Sequence, residues 1–133
     1  MKRVILFSSK AFNVSSLVHA VMDALLGAAG EPDIGRLYPD TDPATAGASS
    51  LKLLGEVVAR LRGAGWSVMN VDTVIVAEAP QVGPLAERMK DILCPVLGVP
   101  KPALGIKGKT NEGHGAVGEG RAIACWAVAL IQK

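Results

Sequence analysis

Residues 17–30 read Leu-Val-His-Ala-Val-Met-Asp-Ala-Leu-Leu-Gly-Ala-Ala-Gly. Apolar side chains recur in this stretch at three- and four-residue steps, which predicts an amphipathic helix with one buried stripe. We expect Ser15 and Ser16 to cap the start of the helix and Gly27 and Gly30 to end it. The predicted stripe consists of Leu17, Val18, Val21, Met22, Leu25 and Leu26.

Two polar residues interrupt this apolar helix. His19 and Asp23 are four positions apart and therefore share a face, so a metal ion or phosphate near the imidazole would also feel the carboxylate. The alternative is a structural histidine satisfied by Asp23, because an imidazole on a helix is a ligand only in some proteins. The helix alone leaves both interpretations open and favours the structural one.

A loop rich in carboxylates follows the helix. It contains Asp33-Ile-Gly35, where a bare backbone could approach a ligand, and the rigid stretch Pro39-Asp-Thr-Asp-Pro43. Loops of this composition bind sugar hydroxyls or metal ions, or simply form turns. Composition alone favours a turn.

The rest of the chain alternates between helical and strand patterns. Helical spacing predicts two further helices over 49–62 and 84–97, and Pro95 is expected to perturb the last turn of the second. Runs rich in valine and isoleucine predict strands, of which the one over 66–77 should be central. The other predicted strands cover 1–12, 103–109 and 123–132. We therefore predict an α+β fold, one sheet with helices packed on one face, in a single domain over 1–133.

Composition narrows the class of protein. The chain has 133 residues, 50% of them hydrophobic, and a formal net charge of +2. These values predict one compact core and exclude a basic nucleic-acid surface. The apolar run Val4-Ile-Leu-Phe7 is too short to span a membrane, so we expect a cytoplasmic protein or a processed protein of the plastid stroma. Cys94 and Cys125 are expected to be buried reduced thiols without a catalytic role.

One motif resembles a dinucleotide fingerprint. Residues 113–118 match the G-x-G-x-x-G pattern, but that fingerprint must follow the first strand, open a helix and precede an acidic residue about twenty positions on. The chain ends too soon for this context. We expect these glycines to form a turn between strands and His114 to be an exposed loop residue. A Ser-His-Asp hydrolase has still weaker support, since the chain has no G-x-S-x-G elbow.

Seven segments of the chain form a distinctive combination. They are the His19-Ala-Val-Met-Asp-Ala-Leu-Leu-Gly-Ala run, Asp33-Ile-Gly, Pro39-Asp-Thr-Asp, Asn70-Val-Asp, Ala77-Glu-Ala-Pro, Lys107-Gly-Lys-Thr-Asn-Glu and Ile123-Ala-Cys-Trp-Ala-Val-Ala-Leu. Together they resemble the 2-C-methyl-D-erythritol 2,4-cyclodiphosphate synthase family, in register from about Leu17 to the end of the chain.

The resemblance implies a homotrimer with active sites between subunits. It implies a lyase of the non-mevalonate isoprenoid pathway, in which the 2-phosphate of 4-diphosphocytidyl-2-C-methyl-D-erythritol 2-phosphate attacks the neighbouring diphosphate and releases CMP. His19 would be a zinc ligand, and Glu112 would help to hold a second divalent cation, magnesium or manganese, on the diphosphate. Thr110 would polarise the transferring phosphate.

The resemblance also assigns the substrate-binding residues. The methylerythritol phosphate end would be held by Asp33, Gly35, Tyr38, Asp40 and Asp42. The cytidine nucleotide would occupy a pocket on a neighbouring subunit, formed by residues 77–83, which include Ala77, Pro80 and Gln81, together with Lys109 and Asn111. Glu112 would contact the substrate at its metal-bound diphosphate.

The sequence departs from the family pattern at several of these sites. Ser8 and Lys10 stand where the family has two further zinc ligands. The chain passes from Phe12 through Asn13 and Val14 straight into the predicted helix, so the family's lid and its catalytic histidine are missing. We therefore expect weakened zinc binding. Gln81 replaces a lysine, and Glu119 replaces an arginine for which Arg121 could compensate. The alternative function is a non-catalytic trimeric homologue that binds cytidine nucleotide or isoprenoid diphosphate.

Overall fold

The computed structural model describes residues 4–8, 14–39 and 49–133, with the backbone alone for 4–8 and 14. Lys10 and the predicted substrate-binding residues Asp40 and Asp42 lie outside the described residues. The described elements are β1 (Val4–Ser8), α1 (Val14–Ala28), α2 (Ile34–Leu37), α3 (Ser50–Gly63), β2 (Ser67–Val76), α4 (Gly83–Leu97), a 3₁₀ turn (Lys101–Ala103), β3 (Leu104–Lys109), α5 (Gly115–Gly118) and β4 (Ile123–Gln132).

The strands form one sheet in the order β1-β4-β2-β3. β4 pairs antiparallel with both β1 and β2, whereas β2 and β3 are parallel. A parallel pair needs a crossover connection, and α4 supplies it. The prediction that residues 66–77 form a central strand is confirmed, because β2 has a partner on each side.

Three helices cover one face of the sheet. α1 packs mainly on β4, α3 packs between α1 and α4, and α4 packs on β3. Side chains on the covered face of β2 are buried, as at Val71, Thr73 and Ile75, while Asp72 and Val74 on the opposite face are partly exposed. The predicted α+β architecture is confirmed, and the predicted apolar stripe of α1 lies wholly in the core.

Helix ends depart from the sequence prediction in places. Ser15 and Ser16 do not cap α1, because the helix already begins at Val14 and both serines lie inside it. Gly30 adopts a left-handed φ of 77° just beyond the helix, as expected of a terminating glycine. Gly27 lies within the helix and does not end it. Pro95 lies inside α4, which continues to Leu97.

Two predicted turns each contain one turn of helix, α2 after Asp33 and α5 after His114. Short helices of this kind have too few residues to show a hydrophobic period, so pattern analysis does not detect them. Cys94 and Cys125 are buried and unpaired, as predicted. Within the described residues, no helix combines the length and the hydropathy needed to cross a bilayer.

Candidate functional site

A cleft lies where β2 and β3 end and α4 begins. Its volume is about 350 Å³. Carboxyl ends of parallel strands, with a helix following, are a common place for ligand binding in sheets of this kind. The lining residues are Ala77, Glu78, Pro80, Gln81, Val82, Gly83, Pro84, Gly108, Lys109 and Thr110.

Backbone contacts hold the two sides of the cleft together. The Ala77 N–H donates to the carbonyl oxygen of Lys109 at 2.9 Å, one residue past the end of β2. Val82 packs against the bare backbone of Gly108, where a Cβ atom would lie only 2.6 Å from the Val82 Cβ. These contacts bring the start of α4 next to the end of β3.

The cleft has a positive end. No side chain caps the start of α4, and Gly83 and Pro84 at that start line the cleft, so the Gly83 N–H and the positive end of the helix dipole lie in this region. Lys109 is the one cation among the lining residues, and it makes no ion pair with any described residue. Lys107, by contrast, binds the carboxylate of Asp72 at 2.6 Å. The unpaired Lys109 is therefore available to an anionic ligand.

The segment after β3 is held in a defined conformation. The Asn111 N–H donates to Oε1 of Glu78 at 2.7 Å, and the Asn111 side-chain amide donates to the carbonyl oxygen of His114 at 2.6 Å. Glu112 adopts a left-handed φ of 53°, which is uncommon for a residue with a side chain. Its N–H lies 3.4 Å from Oγ1 of Thr110. The loop therefore presents Thr110 in the cleft and Glu112 beside it.

A second group of polar residues lies on α1 and at the start of α3. Nε2 of His19 lies 3.2 Å from Oγ of Ser50, and that hydroxyl lies 2.7 Å from Oγ of Ser15. The imidazole thus ends a chain of two hydroxyls between the helices. Sequence analysis missed this role of Ser50, which is 31 positions from its partner.

Asp23 faces the segment that follows α1. Its Oδ1 accepts a hydrogen bond from the Ile34 N–H at 2.8 Å, and burial raises the pKa of its carboxyl above the usual value. His19 and Asp23, whose spacing predicts a shared face, therefore make separate contacts, with Ser50 and with the Ile34 N–H. No hydrogen bond joins the two side chains in the described structure.

Asp33 and its neighbours form an ordered turn. The Asp33 carboxylate caps α2 by accepting from the Arg36 N–H at 3.0 Å and from Arg36 Nε at 3.1 Å. These bonds hold the pKa of Asp33 below its usual value. Gly35 lies in α2, and a Cβ there would lie 3.3 Å from Oδ1 of Asp33. Tyr38 is half-buried, and burial raises the pKa of its phenol.

Residues 14–132 match the model of the YgbB family. The chain belongs to this family. A "Bifunctional enzyme IspD/IspF" of Desulforudis audaxviator is 53% identical over 117 residues, which cover 88% of this chain and 30% of that protein. A "2-C-methyl-D-erythritol 2,4-cyclodiphosphate synthase" of Azoarcus sp. is 50% identical over 117 residues, 88% of this chain and 72% of the relative.

Solved structures agree with this assignment. The structure "IspF (Plasmodium falciparum) CDP complex" superposes with a TM-score of 0.77 at 28% identity, covering 87% of this chain and 69% of that one. The YgbB-family membership confirms the resemblance to the cyclodiphosphate synthase family seen in the sequence. The family match begins at residue 14 and therefore does not cover Ser8 and Lys10.

The donor set of this YgbB-family chain does not fit a zinc site in the described residues. Zinc sites generally use three or four protein ligands, and residues 14–39 and 49–133 contain no group of three His, Cys, Asp or Glu side chains placed to hold a metal. His19 contacts Ser50, and the Asp23 carboxylate accepts a hydrogen bond from the Ile34 N–H. Glu112 is a different case, because magnesium is commonly held by one or two carboxylates together with substrate phosphates.

Arg121 does not offer a free positive charge. Its Nε donates to the Glu119 carboxylate at 2.6 Å. The sequence suggested that Arg121 could replace the arginine of the family pattern. Glu119 neutralises its charge instead.

The predicted site residues fall into two groups in one chain. Those that line the cleft are Ala77, Pro80, Gln81, Lys109 and Thr110, with Asn111 and Glu112 on the adjoining loop. His19, Asp33, Gly35 and Tyr38 lie instead on α1, on α2 and around them. The cleft is at the β3 edge of the sheet, whereas α1 packs on β4 and β1. Glu78 lies within the 77–83 segment that the resemblance assigned to the nucleotide pocket, but its hydrogen bond to Asn111 was not predicted.

Proposed function

We propose that this chain is a 2-C-methyl-D-erythritol 2,4-cyclodiphosphate synthase of isoprenoid biosynthesis. In the proposed reaction an oxygen of the substrate's 2-phosphate attacks the diphosphate phosphorus nearer the methylerythritol. The bond from that phosphorus to the bridging oxygen breaks, and CMP leaves with that oxygen. The observation that carries the proposal is the cleft with an unpaired Lys109 and an uncapped helix start, in a chain whose relatives include proteins named as this synthase.

The main physical demand of this reaction is to bring two anionic groups together. Catalysis of phosphoryl transfer depends chiefly on alignment and on stabilising negative charge. Lys109 and the Gly83 N–H at the start of α4 would hold the nucleotide phosphate that becomes part of the leaving CMP. The Thr110 hydroxyl would donate a hydrogen bond to an oxygen on the transferring phosphorus. The solved CDP complex of the Plasmodium falciparum protein supports a cytidine nucleotide as the ligand.

Glu112 would contribute to a divalent cation site, magnesium or manganese, on the substrate diphosphate. Such a cation would neutralise part of the phosphate charge when bound. We derive no step through zinc at His19, because the residues that the structure describes offer no group of three donors there. The His19 imidazole contacts Ser50 and so helps to join α1 to α3.

The methylerythritol end of the substrate would be held by Asp33, Gly35 and Tyr38, and by Asp40 and Asp42 of the neighbouring segment. Because this group and the cleft lie on different parts of one chain, we propose that a complete site combines groups from two subunits of a homotrimer. The uncovered face of the sheet supports assembly. It presents Val74, Val76, Trp126 and Val128 around one depression, and Leu130 beyond them is 54% exposed.

The test is CMP release from the cytidine-diphosphate substrate by the purified chain with magnesium or manganese. We expect release that is lost on chelation, from a species whose mass by light scattering is three times that of one chain. Thr110→Ala should slow release by about 10²-fold, the usual cost of removing one hydrogen-bond donor to developing charge. Thr110→Ser, which keeps the hydroxyl, is the matched control and should retain most of the activity.

The alternative of a non-catalytic homologue predicts a different result. In that case the wild-type chain would bind CDP but release no CMP under any metal condition. Release that is equally fast in the wild-type and Thr110→Ala chains would instead contradict the role given to the hydroxyl.

A further inference from the structure

We propose that Glu78 is a positioning residue that fixes Thr110 against the cleft by binding the backbone of Asn111. This inference rests on the proposed function in assigning a consequence for catalysis, but the contact itself is independent of it. Glu78 lies two residues beyond the end of β2 and lines the same cleft as Thr110.

Backbone hydrogen bonds link β2 to β3 as far as Ala77, and the Glu78 side chain makes the next link. The last backbone hydrogen bond between these segments runs from the Ala77 N–H to the Lys109 carbonyl oxygen, at 2.9 Å. The next link is made by a side chain, because Oε1 of Glu78 accepts from the Asn111 N–H at 2.7 Å. Thr110 lies between Lys109 and Asn111, so its backbone is tethered on both sides.

The tether also sets the start of the tight turn that follows. Asn111 binds the His114 carbonyl oxygen through its side-chain amide at 2.6 Å and receives the His114 N–H on its own carbonyl oxygen at 2.9 Å. Glu112, with its left-handed φ of 53°, lies inside this turn. Fixing the Asn111 N–H therefore orients both the Thr110 hydroxyl and the Glu112 carboxylate.

The charge of Glu78 argues against direct contact with a phosphate. A carboxylate beside a diphosphate repels it, whereas a carboxylate that accepts from a backbone amide forms a strong, charge-assisted hydrogen bond. The acceptor, rather than the negative charge, is what the positioning role requires. Glu78→Gln should therefore preserve the function, because a glutamine carbonyl oxygen can accept the same hydrogen bond.

Amide hydrogen exchange of the unmodified protein tests the contact directly. Relative to its intrinsic rate, the Asn111 N–H should exchange about tenfold more slowly than the Glu112 N–H, whose hydrogen bond to Oγ1 of Thr110 is longer, at 3.4 Å. Glu78→Ala should remove this protection, and Glu78→Gln should retain it. Equal exchange at Asn111 and Glu112 in the wild-type chain would overturn the proposal without any variant having to fold.

Kinetics test the consequence. Glu78→Ala should lower kcat for CMP release by about 10- to 100-fold, the cost expected when a reacting group is misplaced by about 1 Å, with a smaller change in KM. Glu78→Gln should recover most of kcat. Glu87→Ala is the matched control, because Glu87 is an exposed acid on α4 that pairs with Lys101 outside the cleft. It should behave as wild type.

The outcomes separate this inference from the proposed function. A wild-type chain that releases no CMP contradicts the function, yet the exchange of the Asn111 amide still decides whether the tether exists. A Glu78→Ala variant with wild-type kcat, or a Glu78→Gln variant as slow as Glu78→Ala, overturns the positioning role.

Discussion

Replacing Asp23 distinguishes an anchoring carboxylate from a metal ligand. Its Oδ1 accepts from the Ile34 N–H at 2.8 Å, and hydrogen bonds to charged groups contribute about 1.5–3 kcal/mol. Burial works against the ionised form, because it raises the pKa of this carboxyl. We therefore expect Asp23→Ala to lose about 1.5 kcal/mol, the lower end of that range, which corresponds to a fall in Tm of about 5 °C for a chain of this size.

Asp23→Asn should behave differently from Asp23→Ala. The asparagine carbonyl oxygen can still accept from Ile34, and no charge has to be buried, so stability at neutral pH should stay close to wild type. The pH dependence follows from the same shift. A raised carboxyl pKa in the folded state means that the folded chain binds the proton more tightly, so the wild type loses stability as pH rises through that pKa. Asp23→Asn should lack this loss.

Urea unfolding across pH and amide exchange at Ile34 measure these effects. Glu31→Ala is the control, because Glu31 lies in the same connection and forms an ion pair with Arg60 at 3.0 Å near the surface. Such pairs contribute about 0.2–1 kcal/mol. The reasoning is refuted if Asp23→Ala keeps wild-type stability and slow exchange at Ile34 but loses metal-dependent CMP release. That result would assign Asp23 to a metal or substrate.

Two further predictions concern charge in the cleft and a buried thiol. Lys109→Gln should weaken CDP binding about fivefold, because one exposed charge contact is worth up to about 1 kcal/mol. Adding Gln81→Lys should restore the affinity, because the new lysine would face the same cleft. Lys107→Gln removes a lysine that is paired with Asp72 and should change the affinity little. Calorimetry measures each affinity, and failure of the rescue would contradict a shared phosphate position. Cys125 should resist iodoacetamide at pH 8, because burial raises the pKa of its thiol to about 11. Mass spectrometry should detect rapid labelling of Cys125 only in urea. Rapid labelling of the folded chain would refute its burial.

The sequence predicted the main elements because their periodicity is strong. The stripe of α1 and the valine-rich run of β2 are set by burial on one side, which leaves a regular pattern. Helix ends were less predictable. Ser15 and Ser16 have the chemistry of caps, but α1 begins before them, and Ser15 instead contacts Ser50 across the helix pair. Competition between a local cap and a tertiary partner cannot be read from local sequence.

The candidate site was predicted unevenly for a similar reason. Lys109 and Thr110 came from the family resemblance, and the structure brings them into one cleft. The role of Glu78 was missed, because it depends on a hydrogen bond to a residue 33 positions away. The available signals were its place within the 77–83 segment of the predicted pocket and its position immediately after the predicted strand. His19 was expected to bind zinc, and its contact with Ser50 likewise arises only from packing of α1 on α3.

The charge balance of the cleft explains why the backbone has to be held so firmly there. Lys109 is the one positive side chain among the lining residues, and Glu78 adds a negative one, while the proposed substrate carries several negative charges. Side-chain charge alone therefore cannot neutralise the ligand, and oriented groups must supply the difference: the Gly83 N–H at the start of α4, the Thr110 hydroxyl and a cation position at Glu112. The contribution of oriented groups depends on alignment. A carboxylate that repels the ligand is tolerable in this cleft if its hydrogen bond to Asn111 maintains that alignment.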